Sequence, residues 1–170
     1  MAAYAERIVL VGLPGAGKST VGPILALQIG WRFIDLDQAI EAEAGLSVPH
    51  IFKEHGEAEF RRLERELTAR LASEPLLVLS VGGGWMVYNR LPGALIVWLQ
   101  VSPDVASMRI CEGAHGRPLL QPDPALRLKQ LHAEREAHYR QADIHIDTDG
   151  KTAVEVANAV ATAVEREHGN

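Results

Sequence analysis

Near the start of the chain, the run Gly12-Leu13-Pro14-Gly15-Ala16-Gly17-Lys18-Ser19-Thr20 fits the pattern G-x-x-x-x-G-K-[ST]. The chemistry of that spacing is phosphate binding. Glycines let the backbone curl until successive N–H groups point at phosphate oxygens. A helix that starts at the lysine adds its own N-terminal N–H groups and partial positive charge. In such a loop Gly15, Ala16, Gly17, Lys18, Ser19 and Thr20 are candidates to hold ATP. Lys18 reaches the β- and γ-phosphates, and the Ser19 hydroxyl ligates Mg²⁺. With ordinary glycine usage such a match arises by chance on the order of once per 10⁴–10⁵ positions.

Other residues point the same way. Phe33-Ile34-Asp35-Leu36-Asp37 closes an apolar segment with two acids. Read as the end of a strand, their alternation turns both carboxylates to one side. Asp35 is the better metal candidate, directly or through a water. Asp37, further out, suits a base that takes the proton of an acceptor hydroxyl. Either acid can instead cap a following helix.

Taking about 100° per residue over 57–72, Phe60, Leu63, Leu67 and Leu71 form an apolar seam. Arg61 lies beside it, Arg62 lies on the far side, and Glu57 and Glu64 share the flank of Arg61. Arg135 falls inside a second seam made by Leu128, Leu131 and Tyr139. An arginine on an apolar stripe needs an anionic partner or a route to solvent. A bound carboxylate is one such partner, and an internal ion pair is the alternative. Arg117, beside Pro118, could close over a transferring phosphate. Arg109 is either a nucleotide contact or a solvated surface residue. Gly82-Gly83-Gly84 allows backbone to approach a ligand closely.

The elements that must position these groups alternate. Strand-length apolar runs at Ile8–Val11, Arg32–Asp35, Leu76–Val81 and Leu95–Leu99, with a weak fifth at Ile144–Ile146, are separated by helical patterns. The first helix begins near Lys18, with Pro23 early in it, and a closing helix spans Thr152–Glu165. Alternation of this kind predicts an α/β domain of three layers, with a five-stranded parallel sheet between helices. The third strand carries no aspartate for a metal, which favours Asp35 in that role. The segment 113–124 holds two glycines and three prolines and no usable period. A loop of this length reads as a lid.

The chain has 170 residues, 47% of them apolar, and a formal net charge of −5. This is one domain with material for a full core. The acidic balance argues against general nucleic-acid binding but leaves room for a local cationic pocket. A single cysteine, Cys111, excludes an intrachain disulfide and reads as a small, partly buried side chain. The apolar runs fall far short of the ~20 residues a membrane-spanning helix needs. No charged leader precedes an apolar run at the N-terminus, so a cytoplasmic protein without a membrane partner is expected. No exposed apolar stripe stands out, so the expected state is a monomer.

Taken together, these residues resemble the shikimate kinase family over nearly the whole chain. The resemblance rests on Gly12–Thr20, Phe33–Asp37, Ile51-Phe52 leading to Gly56-Glu57 with Phe60-Arg61 and Glu64, Gly82–Gly84, Arg117-Pro118-Leu119-Leu120, and Arg135 with Tyr139 before Ala142-Asp143. It implies a P-loop kinase fold like that of nucleoside monophosphate kinases, with a helical substrate-binding region over about 36–72 and a lid over about 113–124. It implies ATP and shikimate as substrates and Mg²⁺ as cofactor. Asp37, Arg61, Gly83 and Arg135 would bind shikimate, the two arginines at its carboxylate and Asp37 as base. Lys18 and Arg117 would stabilise the transferring phosphoryl group, and Ser19 with Asp35 would serve Mg²⁺. A turn at Thr148-Asp149-Gly150 would meet the adenine. Two positions depart from the family pattern. Trp85 is bulkier than the small residue expected after the glycines, and His50 stands where an acid is common. A gluconate-type kinase would keep the phosphate loop without needing Phe60-Arg61 and the triple glycine. A nucleoside monophosphate kinase would leave the two arginines unexplained. A regulator that lost catalysis would show damage at Lys18, Asp37 or Arg117, and all three are intact.

Overall fold

A computed structural model describes residues 5–112 and 123–169. Along the chain run β1 (Arg7–Val11), α1 (Lys18–Ile29), β2 (Arg32–Asp35), α2 (Leu36–Ala44), α3 (Val48–Leu71) and β3 (Leu77–Ser80). Then follow α4 (Trp85–Tyr88), β4 (Ala94–Gln100), α5 (Pro103–Glu112), α6 (Pro124–Tyr139), β5 (Ile144–Asp147) and α7 (Ala153–His168). The five strands form one sheet in the order β2-β3-β1-β4-β5, and every pairing is parallel.

Parallel pairing sends each strand's successor across a face of the sheet, so both faces are covered and the central strands carry apolar residues on both sides. Ile8, Val9 and Leu10 of β1 and Leu77, Val78 and Leu79 of β3 are all 0% exposed. On one side α1 packs against α7 and onto β2 and β3, while α3, α4, α6 and α5 pack in succession. The chain order reverses at β1, which pairs with β3 on one edge and β4 on the other. Ligands of open parallel sheets bind at such a point, beyond the carboxyl ends of the strands. Register brings three ends level: Leu10 pairs with Ser80, and Ser80 pairs with Asp35. The loops that follow β1, β2 and β3 therefore open on one crevice.

Several local readings need correction. Leu76 is not the start of β3: it is exposed, with φ of 51°, and only its carbonyl joins the sheet by accepting from Arg32 N at 2.9 Å. β2 stops at Asp35, so Asp37 belongs to the first turn of α2 and not to the strand. Cys111 is exposed, in the last turn of α5, beyond the part of that helix anchored in the core by Ala106. The helix α3 breaks at Gly56, whose φ of 82° and ψ of 171° no other residue adopts cheaply. The break separates the segment that starts at Val48 from the one that carries Arg61. Of the expected lid, residues 113–122 lie outside the described residues, and Arg117 with them.

Candidate active site

The loop between β1 and α1 takes positive φ at Gly12, Gly15 and Gly17 (147°, 84° and 93°). That curl turns its amides inward over the start of α1. Lys18 is buried, and its Nζ donates to the carbonyls of Gly12 at 2.8 Å and Leu13 at 2.9 Å. The ammonium therefore lies within the curve of the loop. Thr20 is exposed on the first turn of α1, and its N–H donates to the Gly17 carbonyl at 3.1 Å.

Asp35 caps a helix and also faces the phosphate loop. Its Oδ1 accepts from Gln38 N at 3.2 Å, capping α2, and its Oδ2 accepts from Ser19 Oγ at 2.6 Å. One carboxylate thus starts a helix and joins the serine beside the phosphate loop. Oxygen donors of this kind suit Mg²⁺, which keeps several waters and takes one or two protein ligands. Asp37 lines the same cleft from the first turn of α2. The two acids share a side because a strand end and a helix start meet there, and not because of strand alternation.

The triple glycine explains itself spatially. A Cβ on Gly82 would lie 3.3 Å from Asp37 Oδ1, one on Gly83 2.5 Å from Arg135 Nη1, and one on Gly84 2.8 Å from Arg61 Nη2. Each glycine leaves room for one of the three polar groups that line this end of the cleft. The backbone is held in turn by Tyr139, whose hydroxyl donates to the Gly83 carbonyl. Burial pushes the Tyr139 phenol up to about 12, with Arg135 pulling the other way.

The two arginines are held differently. Arg61 Nη1 donates to both oxygens of Glu64, at 3.0 and 3.1 Å, and Glu64 is 0% exposed. Burial holds the Glu64 carboxyl above the usual carboxylate range, opposed by Arg61, Asn89 and Arg65. On its other edge, Nε and Nη2 of Arg61 reach the exposed Glu57 only at 3.4 Å. Arg135 comes from α6 and forms no ion pair among the described residues. Among the described residues, no acid supplies the internal partner that could have explained an arginine on an apolar seam.

These groups line one cleft of about 890 Å³, running from Arg61, Arg135 and Asp37, past the phosphate loop, to Arg109, Thr148 and Lys151. Arg109 is not a solvated surface residue. Its guanidinium donates to the Gly15 carbonyl at 3.3 Å and to Thr148 at 3.1 Å (Oγ1) and 2.8 Å (carbonyl). The bulky Trp85 does not line the cleft. Its ring is buried away from it and Nε1 donates to Thr68 Oγ1 at 3.0 Å. His50 pairs with Ser47 Oγ at 2.7 Å at the start of α3, on the surface. Sequence reasoning missed Tyr88 and Asn89. Asn89 Nδ2 donates to Glu64 Oε1 at 2.8 Å, and the Tyr88 ring lies 4.3 Å from the Arg61 guanidinium. No periodic signal marks them, since α4 has only four residues.

Strand order, phosphate loop and cleft together define an ATP-dependent kinase of the P-loop class. The family model described as shikimate kinase matches residues 14–165. The chain belongs to the shikimate kinase family. It is 41% identical over 163 residues to the shikimate kinase of Moorella thermoacetica, covering 93% of this chain and 94% of that one. It is 39% identical to the shikimate kinase of Persephonella marina, over 91% and 96% of the two chains. Among solved structures, shikimate kinase from Acinetobacter baumannii in complex with shikimate superposes with a TM-score of 0.86 at 33% identity, over 95% and 94% of the two chains. A gluconokinase from Sinorhizobium meliloti shares the fold at a TM-score of 0.64 and 19% identity, over 96% and 94%.

Proposed function

We propose that this chain transfers the γ-phosphoryl group of ATP to the 3-hydroxyl of shikimate, giving shikimate 3-phosphate and ADP. The observation that carries the reading is the convergence of Asp37, Arg135 and Arg61 on the three consecutive glycines, one side chain at each. A small acceptor with one carboxylate and ring hydroxyls fits a site with two guanidinium groups at one end and a carboxylate at the other. The complex of the Acinetobacter baumannii relative with shikimate supports the choice of acceptor.

In this reading Arg135 and the Nε/Nη2 edge of Arg61 hold the acceptor carboxylate. That edge is the available one, because Nη1 is committed to Glu64 while the contacts to Glu57 are long and solvent-exposed. Planar guanidinium groups orient a carboxylate as well as attract it. Gly83 passes close beneath the ring. Asp37 accepts the proton of the attacking hydroxyl. The acceptor oxygen bonds to the γ-phosphorus as the bond to the ADP oxygen breaks, and the leaving ADP retains that electron pair. Gly15, Ala16, Gly17, Lys18, Ser19 and Thr20 cradle the phosphates. Lys18 exchanges the carbonyls of Gly12 and Leu13 for phosphate oxygens. Arg117 supplies charge to the transferring group from the lid at 113–124. Ser19 and Asp35 are the residues to hold Mg²⁺, which when bound neutralises phosphate charge. Positioning and charge stabilisation contribute first, and proton removal second. The adenine would lie toward Arg109 and Thr148.

No helix among the described residues is long and apolar enough to cross a membrane. We take the enzyme to be cytoplasmic and to act as a monomer of one kinase domain whose helical part over 36–72 receives the acceptor.

The test is ADP release with ATP and Mg²⁺, in parallel with shikimate, gluconate, a nucleoside monophosphate and no acceptor. Turnover with shikimate alone is expected. Turnover with gluconate or the nucleotide instead would keep the kinase and overturn the acceptor. Silence in all four arms despite ATP binding would make the chain a nucleotide-binding regulator.

A further inference from the structure

A guanidinium gripped at one nitrogen can still swing about that contact. Arg61 is gripped in this way: both short hydrogen bonds, at 3.0 and 3.1 Å, leave from Nη1 to Glu64. The opposite edge has only two 3.4 Å contacts to an exposed glutamate, which are too long and too solvated to restrain it. An aromatic ring is laid against the group. The Tyr88 centroid is 4.3 Å from Arg61 Cζ, nearer than Phe60 at 5.2 Å.

The placement of that ring is built rather than incidental. The short helix α4 is tied to α3 at both ends, through Trp85 Nε1 to Thr68 Oγ1 and through Asn89 Nδ2 to Glu64 Oε1. Asn89 also closes α4 on itself, its N–H donating to the Trp85 carbonyl at 2.8 Å. Tyr88 is carried between the two ties. It is 49% exposed, so burial in the core does not account for it.

We propose that Tyr88 is a positioning residue for the acceptor carboxylate: its ring closes one face of the Arg61 guanidinium and keeps the Nε/Nη2 edge turned to the cleft. This rests on the acceptor reading given above. It goes further by assigning the anchoring of Arg61 to a side chain that does not line the cleft.

The experiment compares the native chain with Tyr88→Phe and Tyr88→Leu. Leucine keeps apolar bulk and removes the π face. An exposed cation–π contact corresponds to about a two- to fivefold effect on binding. Tyr88→Leu is expected to raise KM for shikimate by that factor, with kcat, KM for ATP and the urea midpoint little changed. Tyr88→Phe is expected to restore the native KM. A second readout needs no substrate. The Arg61 Nε–Hε order parameter, its resonance assigned by its loss in Arg61→Lys, is expected to fall in Tyr88→Leu and to hold in Tyr88→Phe. An unchanged shikimate KM in Tyr88→Leu, or a rise that phenylalanine does not reverse, overturns the proposal. Should the native chain use another acceptor, the acceptor reading falls, and the order parameter decides alone. A fall confined to the leucine variant supports the role of the ring, and an unchanged order parameter rejects it.

Discussion

Of the two arginines beside the triple glycine, Arg61 is already paired with a buried carboxylate and Arg135 has no ion-pair partner among the described residues. Their replacement should therefore read out differently. Arg135→Ala is expected to weaken shikimate binding about 10- to 100-fold, the worth of hydrogen bonds to a charged group, with little change in stability. Calorimetric titration and urea unfolding check the two halves. Arg61→Ala leaves Glu64 buried without its counter-charge, and breaking a buried pair costs about 3–5 kcal/mol. Its urea midpoint is expected to fall steeply. The glycines offer a finer test. In Gly83→Ala the new methyl meets the end of the Arg135 side chain at 2.5 Å, whereas in Gly82→Ala it meets Asp37 at 3.3 Å. Neither position has positive φ, so both variants should fold. The first is expected to raise KM for shikimate more than the second. The glycines were legible in the sequence as a place of close approach. The family resemblance grouped Asp37, Arg61 and Arg135 with Gly83, but which side chain meets which glycine was not legible, since the three come from different helices.

At the scale of elements, α3 shows how one residue sets the direction of a functional side chain. Gly56 adopts φ 82° and ψ 171° within it, a region nearly closed to residues with a Cβ. No neighbour within 4 Å would obstruct a methyl there, so any penalty belongs to the backbone alone. Gly56→Ala is expected to cost about 1–3 kcal/mol in urea unfolding. The seam of Phe60, Leu63, Leu67 and Leu71 was legible from its period: three of the four are buried, and Leu63 is half-buried against the core. The position of Arg61 beside that seam followed from the same arithmetic. Two elements escaped this reading. Asp37 sits in α2, because capping by Asp35 starts the helix at Leu36, before the alternation would carry the strand to Asp37. α4 is too short to show a period, so nothing in the sequence says where the bulky Trp85 points. Its ring in fact turns into the core toward Thr68.

Across the whole molecule, Tyr139 links α6, the sheet and the acceptor site. Its ring packs on Trp98 of β4 at 5.6 Å, and its hydroxyl donates to the Gly83 carbonyl. Burial raises its phenol to about 12, against about 10 for an unfolded tyrosine. The neutral group is the one the fold accepts. Its contribution is whole below pH ~10 and is lost as pH rises toward the folded value, because only the unfolded chain ionises freely in between. Relative to Tyr139→Phe, the native chain is expected to lose on the order of 2 kcal/mol between pH ~10 and ~12 in urea titrations.

The phosphate loop, the alternation of strands and helices, and the apolar seams are properties of neighbouring residues. Glycine's torsional freedom, the amides of a helix start and the period of each element act over a few positions, so sequence alone determined them. The cleft is a different kind of object. Level strand ends, glycines facing three separate helices, Arg109 bridging Gly15 to Thr148, and Tyr88 laid on Arg61 join residues distant along the chain. Only tertiary packing decided these, because the register of parallel strands and the docking of helices, rather than local preference, set which side chains meet.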